Sequence, residues 1–330
     1  MPWIQYPATF AHVLLNMGYR NEWQLLSLVE AWQNLFQLIQ PDMAVFDHCP
    51  TGLLASRGAA FPRFTIGHGF YTPIDTQPLS SLAPCRDMPL GQRMNDEQEV
   101  TDRLNRVLKA NRQPALSQLG ALFSEVDCNL LTTYEELDHN INRASPAYYG
   151  TWSLSPKANV TSGLAWPEGE GTRVFAYLKP MNGLREMIAL LSHRNVPTIA
   201  VLDNATRGKL KEVAGPNVQL TDRPVRLSQL VSDCGLAITN AGHATICELL
   251  KAAIPQAMIP LTLEQAILSE RVASINAGIK ISSADRQEML NQLNSILVKP
   301  DQFAGATLFA RSHSADDEAN IENCFARLND

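Results

Sequence analysis

The stretch ITNAGHATICELL, residues 238–250, has residue types and a spacing that can do chemistry. It has the pattern of an apolar strand end, a turn of small residues, and the start of a helix that carries a glutamate. Small residues let a ligand approach the backbone closely. The start of the helix offers unpaired N–H groups and the positive end of its dipole. Together these features predict an anion site suited to a diphosphate.

Two side chains beyond the turn extend this predicted site. Thr245 can donate its hydroxyl to a phosphate, and Glu248, about one turn into the helix, can accept hydrogen bonds from sugar hydroxyls. A plain strand-to-helix connection with a threonine helix cap explains the stretch alone about as well. The stretch is neither a G-x-G-x-x-G nor a Walker loop, so it gives no support for those nucleotide-binding classes.

The elements that must position this turn are short apolar runs that alternate with helical segments in the second half of the chain. Helical patterns cover residues 183–193 and 264–276. This alternation predicts βαβ units, with a six-stranded parallel sheet between about 172 and 315, helices on both faces, and a ligand at the carboxyl ends of the strands. The six runs are RVFAYL (173–178), PTIAVLD (197–203), NVQLTD (217–222), LAIT (236–239), QAMIP (256–260) and GIKIS (278–282).

The first half has a similar but shorter series of elements. Residues 43–47, 62–67 and 127–134 read as strands, 97–112 reads as a helix, and the proline-containing segment 73–95 reads as a surface loop. Residues 151–171 are rich in Gly, Pro and Ser and lack a period, which is typical of a linker. The predicted domains are therefore 1–150 and 172–330, joined by 151–171. Residues 23–40 read as a helix with one apolar stripe, formed by Leu25, Leu28, Val29, Trp32, Leu35, Phe36 and Ile39.

Composition limits the class of protein. The 330 residues are 45% hydrophobic and 18% charged with a formal charge of −6, a balance typical of soluble globular domains. The sequence has no long basic stripe, no apolar run long enough to span a membrane, and no signal-peptide pattern at its start, so neither nucleic acid nor a membrane is the expected partner. The six cysteines contain no C-x-x-C pair and are predicted to be reduced thiols of a cytoplasmic protein. No cofactor is expected, and no His/Asp/Cys cluster indicates a metal.

The run Leu236–Ile279 resembles the nucleotide-sugar signature of the GT-B glycosyltransferases, and is most like family 1 with its bacterial macrolide-type and rhamnosyltransferase-like members. Weaker likeness covers PDMAVFDHCPTGLLASRG (41–58) and IGHGFYTP (66–73). The resemblance implies a GT-B fold of two doubly wound Rossmann-like domains. It also implies metal-independent, inverting transfer of a sugar from a UDP or TDP donor to a small-molecule or lipid hydroxyl. The matching positions are Gly242, Thr245, Glu248, Pro255, Pro260, Gln265, Arg271 and Val272.

The same resemblance implies a set of donor-binding residues. The chain departs from the signature at several of them. The diphosphate-contacting His of the family falls at Asn240, which can donate only a neutral hydrogen bond, and His243 occupies a variable position without an assigned phosphate role. The first and third signature glycines fall at Ala241 and Ala244. The implied donor-binding residues are Lys179, Arg223, Val225, Asn240, Ala241, Gly242, His243, Ala244, Thr245, Glu248, Glu264 and Gln265.

The resemblance also implies a catalytic pair in the first half. Family members use a His as the base that deprotonates the acceptor hydroxyl, and an Asp that orients it; Asp47 matches the Asp. The matching His would precede Met1, so the N-terminal domain is expected to be incomplete. His68 is the candidate substitute base, with His48 as a second choice, although a structural or surface role is the more common use of each.

Three functions stay open from the sequence. One is a sugar transferase, the second is a non-catalytic nucleotide-sugar-binding relative, and the third is a GT-B epimerase acting on a UDP-amino sugar. Titration with the donor tests whether the protein binds it, and donor hydrolysis separates a transferase from a binder.

Overall fold

A computed structural model describes residues 4, 7–82, 88–152, 165–223, 225, 227–230, 232–299, 302–313 and 317–328. The chain divides into two compact units. The first is Met1–Gly150 with Ile321–Asp330, and the second is Thr151–Asn320. Each unit contains one parallel β-sheet with helices packed against it.

The second unit holds the predicted six-stranded sheet. Its strands lie in the order β10-β9-β8-β5-β6-β7, and every neighbouring pair is parallel. The prediction of a parallel sheet in this half is confirmed. The strands are β5 (Val174–Tyr177), β6 (Thr198–Val201), β7 (Val218–Thr221), β8 (Leu236–Thr239), β9 (Gln256–Met258) and β10 (Gly278–Lys280). The helices are α6 (Leu184–His193), α7 (Asn204–Leu210), α8 (Leu227–Leu230), α9 (His243–Lys251), α10 (Leu263–Ser274), α11 (Arg286–Val298) and α12 (Ala304–Ser312).

Helices cover both faces of this sheet, as the continuous apolar strands require. Side chains alternate between the faces of a strand. Val174 and Ala176 belong to a buried cluster that includes Met187 of α6 and Met289 of α11, whereas Phe175 belongs to a second cluster formed with α8 and α9. The sheet is therefore the middle of three layers.

The strand order places a topological switch point between β5 and β8. The chain leaves β5 towards β6 on one side, while β8 continues to β9 and β10 on the other. In open α/β sheets, ligands bind in the crevice outside the carboxyl ends of the strands at such a point. Here the crevice lies beside Tyr177 and Thr239, which are neighbours in the register of β5 and β8.

The first unit has a four-stranded parallel sheet in the order β1-β2-β3-β4. The strands are β1 (Ala44–Asp47), β2 (Arg63–Gly67), β3 (Cys128–Leu131) and β4 (Ala147–Tyr148). The helices are α1 (Phe10–Leu14), α2 (Glu22–Ile39), α3 (Pro50–Ala55), α4 (Leu90–Ala110), α5 (Ala121–Ser124) and α13 (Asp317–Arg327), with a π-helical turn at Leu15–Tyr19 and 3₁₀ turns at Gly69–Tyr71 and Glu135–Leu137.

One sequence expectation for this unit is corrected. Helix α4 begins at Leu90 rather than 97, so the predicted loop 73–95 ends earlier. Strand β4 was not predicted, because its two residues are too few for a periodic signal. The predicted helix over 23–40 is present as α2, and Leu25 and Val29 are the buried members of its apolar stripe. Most of the predicted linker, residues 153–164, lies outside the described residues.

None of the described helices is both long and apolar enough to cross a membrane. Among the described cysteines, five are free thiols, namely Cys49, Cys128, Cys234, Cys247 and Cys324.

Candidate functional site

A cavity of about 460 Å³ opens at the carboxyl ends of β5, β6 and β7 in the second unit. Its floor and walls are largely apolar, and its polar groups come from strand ends and the first turns of α9. The position is the one that the parallel sheet predicts for a ligand. The lining residues are Phe175, Tyr177, Leu178, Lys179, Val201, Leu202, Asp203, Asp222, Val225, Leu227, Thr245 and Glu248.

The turn between β8 and α9 presents backbone N–H groups beside this cavity. Gly242 is the N-cap of α9, so the cap residue has no side chain to bond to the first-turn N–H groups. The expectation that a threonine caps this helix is wrong, because Thr245 is the third helical residue and lines the cavity. A β-carbon at Gly242 would meet no atom within 4 Å. The helix start is thus open to an anion.

Ala241, at the position of the first glycine of the signature, has a left-handed backbone. Its φ is +59°, in the region that costs a residue with a β-carbon about 1 kcal/mol. Its N–H donates to Oγ1 of Thr239 across 3.1 Å. A glycine would take this conformation without that cost. Ala244 is exposed, so its methyl group points away from the core.

The Asn240 carboxamide is engaged by the protein itself. Its Oδ1 accepts a hydrogen bond from the backbone N–H of Lys179 across 2.7 Å. Its Nδ2 donates to the carbonyl of Ile259 at 2.8 Å and contacts Sδ of Met181 at 3.7 Å. The side chain is 6% exposed. An amide nitrogen has two hydrogens, and both have partners here.

Charged groups around the cavity are unevenly distributed. Lys179 is the one cationic side chain among the described lining residues, whereas three carboxylates line it, those of Asp203, Asp222 and Glu248. Asp203 caps α7 and accepts from both the N–H and the hydroxyl of Thr206, and these bonds lower its pKa. The cavity itself is thus suited to groups that donate hydrogen bonds, and phosphates are better accommodated at the start of α9.

Asp222 forms an ion pair with Arg207, with Nη1 and Oδ1 3.0 Å apart. Arg223 does not line the cavity; its N–H donates to Oγ1 of Thr221. Val225 contributes an apolar wall two residues later. The loop after β7 thus brings an acceptor and an apolar surface to the cavity.

Glu264 and Gln265 belong to the start of α10 and do not line the cavity. Gln265 forms a capping box with Thr262, in which its Oε1 accepts from the N–H groups of Leu261 and Thr262. Burial raises the pKa of Glu264 to about 7. Gln265 therefore caps the start of α10. Contact of Glu264 and Gln265 with sugar hydroxyls stays a prediction.

His243 is the first residue of α9, and its Nε2 lies 3.8 Å from Sγ of the buried Cys247. Burial raises the pKa of that thiol to about 12, so Cys247 stays protonated at neutral pH. The role of His243 in donor binding stays a prediction.

In the first unit, Asp47 and His68 follow neighbouring parallel strands. Asp47 ends β1 and pairs in register with Ile66 of β2, and His68 follows Gly67 directly. A β-carbon at Gly67, where φ is +139°, would lie 3.6 Å from Oδ1 of Asp47. Both residues therefore lie at the carboxyl edge of this sheet, at the ends of strands that the sequence located correctly.

The imidazoles near this edge form an aromatic cluster. The His68 ring stacks on His139 with centroids 5.0 Å apart and lies 4.9 Å from the Tyr71 ring, which also contacts His48. Burial, followed by the charge of His48, lowers the pKa of His68 to about 4, against an opposing effect of Asp138. Burial also lowers the pKa of His48, and the adjacent Asp47 opposes this. His68 is therefore neutral at pH 7.

A buried ion pair holds the segment that follows His68. Asp138 is fully buried and is paired with Arg143, whose guanidinium also donates to the carbonyls of Gly69 and Thr72. The hydroxyl of Tyr148 donates to Oδ2 of Asp138 at 2.8 Å. No sequence pattern indicates this network, because its members are separated along the chain and share no motif.

By sequence, the chain matches no protein-family model and no curated protein. By structure, it is similar to many solved glycosyltransferases. The calicheamicin glycosyltransferase CalG4 aligns over 98% of this chain and 85% of its own, with a TM-score of 0.69 and 13% identity.

Two other structures show the same likeness. The spinosyn rhamnosyltransferase SpnG complexed with thymidine diphosphate covers 93% of this chain and 81% of its own, with a TM-score of 0.58 and 14% identity. MurG of Acinetobacter baumannii covers 93% of this chain and 79% of its own, with a TM-score of 0.57 and 15% identity. With its two parallel sheets, the chain has the GT-B glycosyltransferase fold, and the predicted fold class is confirmed.

Proposed function

We propose that the protein is a glycosyltransferase that moves a sugar from a UDP or TDP donor to a hydroxyl acceptor with inversion. The observation that carries the proposal is the cavity at the strand ends of the second unit, bounded by Lys179, Val225, Thr245 and Glu248. One solved protein of the same fold, the rhamnosyltransferase SpnG, has been solved in two complexes. One contains thymidine diphosphate and the other contains the spinosyn aglycone.

The nucleoside occupies the cavity in this proposal, and the diphosphate lies at the start of α9. The apolar walls at Val225 and Leu227 flank the base, and the Glu248 carboxylate accepts from ribose hydroxyls. The N–H groups of the first turn of α9 and the hydroxyl of Thr245 face the diphosphate. The proposal assigns the charge of the leaving diphosphate to the start of α9 and to Lys179, and gives no role to a resident cofactor or metal.

His68 is the proposed base, with Asp47 at the same sheet edge. Inversion requires one base that takes the proton of the acceptor hydroxyl as that oxygen attacks the anomeric carbon. The C–O bond to the diphosphate breaks, and the diphosphate leaves with the electron pair. A neutral His68 at pH 7 has the protonation state that this step needs.

The first test is calorimetric titration with UDP and TDP. Thr245→Val should weaken binding by about 0.5–1.5 kcal/mol, the usual net contribution of one neutral hydrogen bond. Gly242→Ala is a sharper variant, because its new methyl group meets nothing in the protein but would enter the space of a bound phosphate.

We expect Gly242→Ala to retain the wild-type unfolding midpoint and lose roughly tenfold or more in affinity. Gly208→Ala is its matched control, since Gly208 lies on α7, away from the cavity, and a β-carbon there also meets nothing within 4 Å. Undetectable binding of both nucleotides at millimolar concentration would refute the proposed donor site.

A non-catalytic nucleotide-sugar binder is the second candidate. It is favoured by the Asn240 side chain, which is neutral and fully engaged where the family has a His. Hydrolysis of UDP- and TDP-sugars separates the two, because a transferase slowly transfers its sugar to water and a binder leaves the donor intact. Loss of that hydrolysis in His68→Asn would support the assigned base.

A further inference from the structure

The buried carboxamide of Asn240 joins three loops that border the proposed donor site. It accepts from Lys179 after β5, donates to Ile259 after β9, and itself follows β8. Because both of its amide hydrogens have partners, Asn240 has no N–H left for a phosphate oxygen. Its oxygen, an acceptor, would repel a phosphate oxygen.

The diphosphate still needs positive charge. A nucleoside diphosphate carries about two to three negative charges at pH 7, whereas a helix dipole supplies only about half a positive charge. Three carboxylates line the cavity and add to the negative potential. Among the described lining residues, only Lys179 is cationic, and its side chain is exposed, which leaves the ammonium free to reach a ligand.

We infer that Asn240 is a positioning residue that fixes the backbone at Lys179, and that Lys179 supplies the charge that binds the diphosphate. The inference rests on the proposed function and assigns the roles of two residues within it. Asn240 acts through the 2.7 Å bond between its Oδ1 and the Lys179 N–H, at the point where the chain leaves β5. In this chain the cation that binds the phosphate therefore follows β5, whereas the position of the family's His follows β8.

A double-mutant cycle tests this assignment, with UDP as the probe and uridine as the reference. Lys179→Met should lower UDP affinity about tenfold and leave uridine affinity unchanged, since uridine has no phosphate. The salt dependence of UDP binding should also become shallower. Asn240→Ala should lower UDP affinity in the wild-type background but have little further effect in Lys179→Met, because residues that act through one another are not additive.

Asn217→Ala is the matched control. The Asn217 amide is likewise buried and donates to two backbone carbonyls, those of Leu191 and Val196, but it does not line the cavity. It should lower stability without changing UDP affinity. An equal loss of UDP affinity in Asn217→Ala would show that general loosening explains the effect and would overturn the assignment.

Two further outcomes would also overturn it. One is an additive loss for Asn240→Ala in the Lys179→Met background, which would mean that Asn240 contacts the phosphate itself. The other is a Lys179→Met variant with wild-type UDP affinity. If wild-type protein binds no UDP or TDP at all, the proposed function fails, which is a distinguishable result.

If Asn240→Ala does not fold, the side-chain amide resonances of Asn240 in the wild-type protein give a second measurement. On addition of UDP, these protons should shift little and stay protected from solvent, while the Lys179 backbone amide shifts. A large shift of the Asn240 amide protons with an unchanged Lys179 signal would contradict the inference.

Discussion

The side-chain oxygen of Asn240 accepts the backbone N–H of Lys179 across 2.7 Å, which ties the end of β8 to the end of β5. These two strands flank the switch point of the sheet, where a ligand is expected. The bond lies beside the cavity, and its two residues come from segments 61 positions apart. The contact therefore makes the backbone beside the cavity depend on a buried side chain from another strand.

The C-terminus of α9 offers a test of local backbone strain. Ala253 has φ +60°, and its N–H bonds to the carbonyl of Leu250 while that of Ile254 bonds to Leu249, the pattern of a Schellman cap. Glycine is the preferred residue at this position. We expect Ala253→Gly to raise the free energy of unfolding by about 0.5–1 kcal/mol, measured by urea unfolding. A destabilised variant would mean that the Ala253 methyl contributes packing that outweighs the strain.

Glu97 of α4 gives a pH-dependent prediction. The residue is 4% exposed, its carboxylate accepts the N–H of Leu79, and burial raises its pKa from 4.5 to about 7. The folded state then holds a proton that the unfolded state releases, so this group makes stability fall as pH rises from about 4.5 to about 7.

Glu97→Gln removes that pH dependence and keeps an oxygen for the Leu79 N–H. In urea unfolding, the free energy of unfolding of the variant should exceed that of wild type by roughly 1–3 kcal/mol at about pH 8, and by much less at about pH 5. Glu99→Gln, on the exposed side of the same helix, is the control and should show no such difference. An equal effect of Glu97→Gln at both pH values would contradict the assigned titration.

Gly69 should not tolerate a side chain. A β-carbon there would fall on Oδ1 of Asp138 and against the Arg143 guanidinium, which are both buried. Gly69→Ala should lower the free energy of unfolding by about 3–5 kcal/mol, the usual cost of disrupting a buried ion pair. Gly91→Ala near the start of α4, where a β-carbon meets nothing, should be neutral or slightly stabilising. Comparable stabilities of the two variants in thermal unfolding would exclude the network as an anchor of this segment.

The pH dependence of sugar transfer reports on His68. With a pKa of about 4, His68 is neutral at all higher pH values, so its titration should leave kcat/KM unchanged from about pH 6 upward, and any change near pH 7 should persist in His68→Asn and disappear in Glu264→Gln. The fall in rate caused by His68 should come only towards pH 4, and circular dichroism over the same range checks that the fold persists. If kcat/KM instead falls as the pH drops through the ordinary histidine pKa, and the same fall is seen in His68→Asn, a group other than His68 is responsible for it.

The sequence predicted the second unit well because its strands are continuous apolar runs whose alternation with helices has few other solutions. It located β8 at its observed bounds, Leu236–Thr239, and it identified Thr245 and Glu248, which line the cavity. A signature at fixed spacing made these residues visible before any fold was known.

The remaining features depend on contacts between distant residues. The signature shows that Asn240 stands where the family has a histidine, whereas the partners of Asn240, Lys179 and Ile259, are set by the order of the strands in the sheet. The lining residues Asp203 and Asp222 carry no motif and reach the cavity only because β6 lies beside β5 and β7 lies beside β6, so that the three strands end at the same edge of the sheet. Likewise, Asp138 and Arg143 act on Gly69 across about 70 residues of chain, beyond any local pattern.

Whether the cavity of the second unit binds a nucleotide diphosphate is best measured by NMR titration of isotope-labelled protein with TDP and UDP. We expect saturable shifts of the backbone amides of Gly242–Thr245, Lys179 and Val225, with weaker shifts for Gly242→Ala. The absence of shifts at millimolar nucleotide, or saturable shifts confined to residues that do not border this cavity, would contradict this expectation.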